Sequence, residues 1–209
     1  MNVYDKRKCV HGSFLSSKDS QAVAKHYLCH FMSDAIKHEC GIALLRLRKP
    51  LDHYLETYGT ALYGLNKMIL MMEKQHNRGQ DGAGLAGIKM GMPPGKRYIT
   101  RYRSIEPKPM QDIYGRIQLS LAERLDGKPE RLKDAKWVKE NLPFACEIYM
   151  GHLRYGTHGE NSIEACHPFL RQSNFMSRNL IVAGNFNMTN TEELMEELVS
   201  FGQHPKVST

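Results

Sequence analysis

Four short apolar runs, separated by glycine, proline and polar residues, most constrain how this chain can fold. They occupy residues 40–47, 81–90, 146–153 and 180–183. Each run has the length of a β-strand and is far too short to cross a bilayer as a helix. Residues 59–75 carry apolar residues at helical spacing and predict a helix. The polar stretch 107–141 predicts two surface helices around a turn at Asp126-Gly127, and residues 191–201 predict a further helix with Glu192 and Glu193 in its first turn. This order of strands and helices predicts a layered α+β fold, with the run at 180–183 forming a buried strand.

The composition is that of an ordinary globular chain. Its 209 residues suit one domain, and a 41% hydrophobic content is enough to bury a core. Lys and Arg number 29 against 22 Asp and Glu, which gives a net charge of +7. Because the basic residues are scattered, we expect neither a nucleic-acid nor a membrane partner. A nucleic-acid-binding module stays a rival, and it would bind RNA or DNA with a steep salt dependence.

The cysteines point to a reducing setting. There are five, an odd number, and no Cys-x-x-Cys pair occurs among them. This pattern predicts neither a disulfide framework nor a zinc site, and no metal site is expected. It favours a cytoplasmic protein in which one cysteine is free for catalysis.

The N-terminal segment differs in composition from the rest. Residues 1–31 are rich in Ser, Lys and His and show no sustained period. We therefore interpret residues 1–39 as an extension or propeptide-like segment and residues 40–209 as the folded domain.

Reactive or polar groups stand beside glycines in four segments, each next to a predicted strand, where sites are common. The segments read HECGI at 38–42, QHNRGQDGAG at 75–84, GHLRYGTHG at 151–159 and GNFNMTN at 184–190. Together they resemble the glutaminase domain of class II glutamine amidotransferases, the N-terminal-nucleophile type. The sequences RGQD at 78–81 and RY at 154–155 are most similar to the amidophosphoribosyltransferase branch.

The resemblance implies that Cys40 is the nucleophile that attacks the side-chain amide of glutamine. A thiol is mostly protonated at neutral pH and needs a base. In this family the base is the cysteine's own free α-amino group. Since 39 residues precede Cys40, the implied mechanism requires cleavage after Glu39.

The resemblance also implies the substrate-binding residues. Arg154 would bind the α-carboxylate of glutamine, because a guanidinium matches a carboxylate with two parallel hydrogen bonds. Tyr155 and Thr157 flank it and would add backbone or hydroxyl contacts. Arg78 and Gly79 would shape the glutamine pocket beside the nucleophile. No residue matches the family's acidic partner for the substrate α-amino group.

Asn185 and the backbone N–H of Phe186 would form the oxyanion hole, where one donor contributes about 3 kcal/mol. The family usually reads Asn-Gly-Asn at this point, whereas this sequence reads NFN at 185–187. Phe186 fits only if its backbone avoids positive φ.

The implied fold is the N-terminal-nucleophile four-layer αββα sandwich with antiparallel sheets, its C-terminal part incomplete. No phosphoribosyltransferase domain is recognisable in the sequence. We therefore expect no cofactor within this chain, and Mg²⁺ only for that missing domain. Glutamine is the expected partner, and a homo-oligomer is left open.

The implied function is the glutaminase part of a purine-biosynthetic amidophosphoribosyltransferase, acting through a thioester on Cys40. One alternative is an inactive truncated fragment that serves at most as a binding module. It would release no glutamate even with Cys40 at the N-terminus. The other is the glutaminase domain of a different class II amidotransferase, which Gln80 and Tyr155 argue against.

Overall fold

A four-stranded antiparallel sheet is the centre of the fold in the computed structural model, which describes residues 39–156, 162–185 and 189–203. The predictions for residues 1–38 lie outside this part. The strands are β1 (Gly41–Arg46), β2 (Gly82–Ile88), β3 (Ile99–Ser104) and β4 (Ile148–Arg154). Their order across the sheet is β1-β4-β2-β3, so β4 pairs with the first two strands.

Helices follow or separate these strands, and a short second sheet lies near the C-terminus. The helices are α1 (Leu51–Tyr58), α2 (Tyr63–Lys74), α3 (Pro109–Leu125), α4 (Ala135–Asn141) and α5 (Thr191–Ser200). The second sheet pairs β5 (Phe169–Arg171) with β6 (Leu180–Val182), also antiparallel. The α+β class and the antiparallel sheets are thus confirmed. Within the described ranges, every helix is too short or too polar to span a membrane.

The hydrophobic core lies between one face of the main sheet and two helices. Helix α2 packs on β1 and β4, and α3 packs on β2 and β3. Both helices bury apolar residues at helical spacing: Leu65, Met68 and Met72 on α2, and Ile113, Ile117 and Leu121 on α3. The strands contribute Ala83, Leu85, Tyr149 and Leu153 to the same cluster. Residues at alternate strand positions therefore face the opposite side.

Tyr149 is fully buried in this core, and its hydroxyl makes two hydrogen bonds. It donates to the carbonyl oxygen of Phe144 at 2.8 Å and accepts from the N–H of Cys146 at 3.1 Å. Burial raises the pKa of Tyr149 well above its ordinary value. The hydroxyl therefore stays neutral and bridges the turn that leads into β4.

We expect Tyr149→Phe to lower the free energy of unfolding by about 1–3 kcal/mol, because it leaves two buried backbone groups without their partner. Urea denaturation would measure the loss. Tyr114→Phe is the matched control, since Tyr114 is 45% exposed on α3, and it should change stability by less than about 0.5 kcal/mol. Equal effects of the two substitutions would contradict the bridging role.

The face of the main sheet away from the helices is covered beside β2. Gly84 pairs with His152 in the register of β2 and β4, and both lie on this face. The chain crosses Gly84 at His167 and Pro168, just before β5. A Cβ atom at position 84 would lie 1.9 Å from the carbonyl oxygen of His167. Only glycine lets the crossing segment come this close.

The same face is more open on β1 and around the second sheet. Ile42 and Leu44 of β1 are 44% and 62% exposed. Leu180, at the start of β6, is 55% exposed. The prediction of a strand at 180–183 is confirmed, but the prediction that it is buried is wrong. The sheet that it belongs to pairs two strands of three residues each, and three of these six residues are exposed.

Candidate active site

Cys40 stands directly before β1, at the end of the main sheet. The register of β1 and β4 pairs Gly41 with Leu153, which brings Cys40 to the residues that follow. The N–H of Tyr155 donates to Cys40 Sγ at 3.4 Å, and Sγ lies 3.8 Å from the carbonyl oxygen of Tyr155. The Cys40 side chain is half-buried. The structure thus places this thiol against the backbone that follows Arg154.

Arg154 is the last residue of β4 and is 6% exposed. Strand alternation puts it on the same sheet face as His152, the face away from α2 and α3. Its backbone carbonyl accepts from the N–H of Asp81, whose carboxylate in turn accepts from Gly156 N–H at 2.8 Å. A Cβ atom at Gly156 would lie 3.3 Å from Arg154 Nη1. The guanidinium therefore lies close to the chain that leaves β4.

Gly79 brings the segment after α2 against the end of β4. A Cβ atom there would lie 2.6 Å from both the carbonyl carbon of Arg154 and the carbonyl oxygen of Leu153. Backbone atoms cannot rotate out of the way, so any side chain at 79 would push this segment off β4. Gly79 thus lies beside the Arg154 backbone, and its role in shaping a glutamine pocket stays a prediction.

Arg78 lies next to Glu39, the residue before Cys40. Arg78 Nη1 and Glu39 Oε2 are 3.3 Å apart, and both side chains are more than half exposed. A pair this exposed contributes less than about 1 kcal/mol. The pair nevertheless shows where Arg78 lies: its side chain reaches Glu39, the residue directly before Cys40.

The described part of the predicted oxyanion segment ends at Asn185, which is exposed. Thr157 and Phe186 lie outside the described residues, so their roles stay predictions. Both backbone polar groups of Gly184, the residue before Asn185, contact a histidine ring. Its carbonyl oxygen is 3.3 Å from His152 Nε2, and its N–H donates to His167 Nδ1 at 3.2 Å.

The buried His152 and the half-buried His167 form a pair that the sequence interpretation did not assign to the site. Their rings meet edge to face with centroids 4.7 Å apart. Burial lowers the pKa of His152 to about 4, and the neighbouring His167 is the second-largest cause of this shift. Burial also lowers the pKa of His167. One signal was available in the sequence. His152 stands two residues before Arg154 in a strand-like run, and that spacing puts both on one face.

The other cysteines of the described part are poor nucleophiles. Cys166 and Cys146 are buried, whereas Cys40 is only half-buried. Burial raises the pKa of Cys166, and it raises the pKa of Cys146 to about 12. Cys40 is therefore the most accessible of these three thiols. In the described ranges, no three His, Cys, Asp or Glu residues come together as a metal site.

Comparison with known proteins gives one partial match. Over 51 residues, the chain is 41% identical to an amidophosphoribosyltransferase of Methanocaldococcus jannaschii. The match covers 24% of this chain and 10% of the length of that relative. Neither a protein-family model nor a solved structure matches the chain. The match agrees with the resemblance seen in the motifs and suggests an enzyme-related family at most.

Proposed function

We propose that residues 40–209 form a class II glutaminase domain that hydrolyses glutamine to glutamate and ammonia. The observation that carries this is the position of Cys40. Its thiol contacts the backbone of Tyr155, directly after Arg154, although 115 positions separate Cys40 from Tyr155 in the sequence. The residues that we propose as nucleophile and as carboxylate-binding group, Cys40 and Arg154, thus lie at the same end of one sheet. The short match to an amidophosphoribosyltransferase supports the purine-biosynthetic branch.

The reaction begins with loss of the Cys40 thiol proton to the free α-amino group of the same residue. The thiolate then attacks the side-chain carbonyl carbon of glutamine, and a C–S bond forms. The C–N bond breaks, and ammonia leaves after its nitrogen takes the proton from the α-amino group. Water attacks the resulting γ-glutamyl thioester, which restores the thiol and releases glutamate.

The remaining residues hold the substrate and the developing charge. Arg154 pairs with the α-carboxylate, and Arg78 and Gly79 bound the pocket from the segment after α2. Asn185 and the N–H of Phe186 donate to the oxyanion, while Tyr155 and Thr157 flank the substrate. A reducing cytoplasm would keep the Cys40 thiol free, since disulfides seldom persist there.

The proposed fold is the N-terminal-nucleophile four-layer sandwich. Two antiparallel sheets and a helix layer on one side support it. The ammonia would pass to a ribosyl acceptor on a phosphoribosyltransferase domain, and any Mg²⁺ would belong to that domain.

Trapping the thioester tests the proposal directly. A chain that begins at Cys40 would be mixed with glutamine, quenched in acid and analysed by intact and peptide mass. We expect a γ-glutamyl group on the peptide that contains Cys40, together with glutamate in solution. Neither product, from a folded chain with a free Cys40 amino group, would favour the non-catalytic alternative.

Arg154→Lys should raise the KM for glutamine by about 10- to 100-fold with a smaller change in kcat. Lysine keeps the charge but loses the second, parallel hydrogen bond to the carboxylate, and charged hydrogen bonds contribute about 1.5–3 kcal/mol. Steady-state glutamate release measures both constants. Arg171→Lys is the matched control, because Arg171 is exposed on β5. An unchanged KM in Arg154→Lys would remove Arg154 from the substrate site.

A further inference from the structure

Two histidines, His152 buried and His167 half-buried, hold one peptide unit on the sheet face away from α2 and α3. His152, on β4, is 2% exposed, and its Nε2 is 3.3 Å from the carbonyl oxygen of Gly184. His167 accepts from the N–H of the same residue through Nδ1, at 3.2 Å. Gly184 is thus fixed at its donor and its acceptor by two side chains that also contact each other.

These contacts define the protonation state of both rings. A carbonyl oxygen only accepts, so His152 Nε2 carries a proton. Its buried Nδ1 has no hydrogen-bond partner in the described part of the chain, which suits a neutral ring. His167 Nδ1 accepts from an N–H and therefore carries no proton. Protonating either ring would damage the arrangement, by burying an unpaired N–H at His152 or by removing the acceptor at His167.

We propose that His152 and His167 are positioning residues, which hold the Gly184 peptide and so place Asn185 for the reaction at Cys40. We call the two histidine contacts to the Gly184 peptide the clamp. Its effect on catalysis rests on the proposed function, whereas the clamp itself is a property of the fold. Asn185 is the next residue after Gly184, so a shift of the Gly184 peptide moves its backbone directly. An oxyanion donor misplaced by about 1 Å loses much of its contribution.

The clamp depends on pH because both rings must be neutral. The charged and titratable groups that act on them are Arg154 from β4, on both rings, and Arg103 from β3, on His167, besides His167 itself acting on His152. The folded-state pKa of His152 is about 4, below its ordinary 6.5. The stability that the clamp contributes is therefore fully present above about pH 6.5 and decreases as the pH falls toward 4, where the His152 ring becomes protonated in the folded chain.

Two pairs of variants separate hydrogen bonding from packing. His152→Leu and His167→Leu remove the polar contacts and keep an apolar side chain. His152→Gln retains a donor near the place of Nε2, and His167→Asn retains an acceptor near the place of Nδ1. His53→Leu is the control, because His53 is exposed on α1.

The first readout is hydrogen exchange of the Gly184 amide, expressed as a protection factor relative to an unstructured peptide. We expect His167→Leu to reduce this protection about fivefold or more, and His167→Asn to restore most of it. Protection in the unsubstituted chain should fall between pH 6.5 and 4. Unchanged protection in His167→Leu, or no loss on acidification, would overturn the clamp.

The second readout is glutamine hydrolysis. Both Leu variants should lower kcat by about tenfold or more with little change in KM, and His152→Gln and His167→Asn should recover activity. If Gly184 loses protection in an active Leu variant whose kcat is unchanged, the positioning role is wrong. If the unsubstituted chain forms no thioester while Gly184 responds as expected, the proposed function fails and the clamp stands.

Discussion

A chain that begins at Cys40 should hydrolyse glutamine at least about 100-fold faster than the same chain with Glu39 still attached. The Cys40 nitrogen is an amide in the longer chain and cannot take a proton from the thiol. General-base catalysis by a positioned group contributes about 10²- to 10⁴-fold, so removing the base should cost at least the lower figure.

The two chains can be made from one precursor by a protease site placed directly before Cys40 or directly before Glu39. Glutamate release would be measured for both, with a Cys40-first chain acetylated at its N-terminus as the matched control. Acetylation adds no residue and converts the α-amine to an amide, so that the nitrogen can no longer act as a base. Similar rates in all three preparations would show that the α-amino group is not the base.

The Cys40-first chain also tests the nucleophile. Cys40→Ala and Cys40→Ser should abolish labelling by a glutamine-analogue electrophile. Cys146 serves as an internal control, since burial raises its pKa to about 12 and the thiol should stay unlabelled while the protein is folded. Equal labelling of the Cys40 variants and the unsubstituted chain would contradict the assignment of Cys40 as the nucleophile.

Gly84→Ala should lower the free energy of unfolding by about 3 kcal/mol. The added Cβ would lie 1.9 Å from the carbonyl oxygen of His167 and 2.7 Å from Pro168 Cδ. Neither atom belongs to a flexible side chain, so the crossing segment must move away from the sheet. Overpacking of this kind costs about 1–3 kcal/mol and occasionally more. Displacing His167 should also weaken its contacts with His152 and Gly184.

Thermal and urea unfolding would measure this loss, and Gly115→Ala provides the matched control. Gly115 lies inside α3 with no atom within 4 Å of an added Cβ. Alanine there should raise stability by about 0.5–1 kcal/mol, because glycine is a poor residue in a helix interior. If Gly84→Ala were as stable as Gly115→Ala, the close crossing at Gly84 would be wrong.

Most of the secondary structure followed from local patterns. The runs at 40–47, 81–90 and 146–153 became β1, β2 and β4, and the helix prediction at 191–201 became α5. The turn expected at residues 126–127 separates α3 from the structure after it, with both residues at positive φ. Periodicity and turn residues act within a few positions, so one sequence is enough to reveal them.

Two elements were missed, for different reasons. Helix α1 has a local signature, because Leu51, Tyr54, Leu55 and Tyr58 lie at the spacing of one helix face, and the sequence analysis did not use it. Strand β5 has three residues, two of them exposed, and exists because it pairs with β6. Such a strand is stabilised by neighbours that the sequence does not identify.

The sequence by itself determined the α+β class, the main strands and the segments that carry Cys40, Arg78, Arg154 and Asn185. Only the tertiary structure decided that Cys40 contacts the backbone of Tyr155. It also decided that other backbone segments approach Gly79 and Gly84 closely. His152 and His167 both contact the backbone of Gly184, which is likewise a feature of the tertiary structure. Local patterns fix which residues alternate on a strand, whereas long-range pairing fixes which strands lie side by side. Contacts between positions more than 100 residues apart depend on the register of β1 with β4, and no local signal encodes that register.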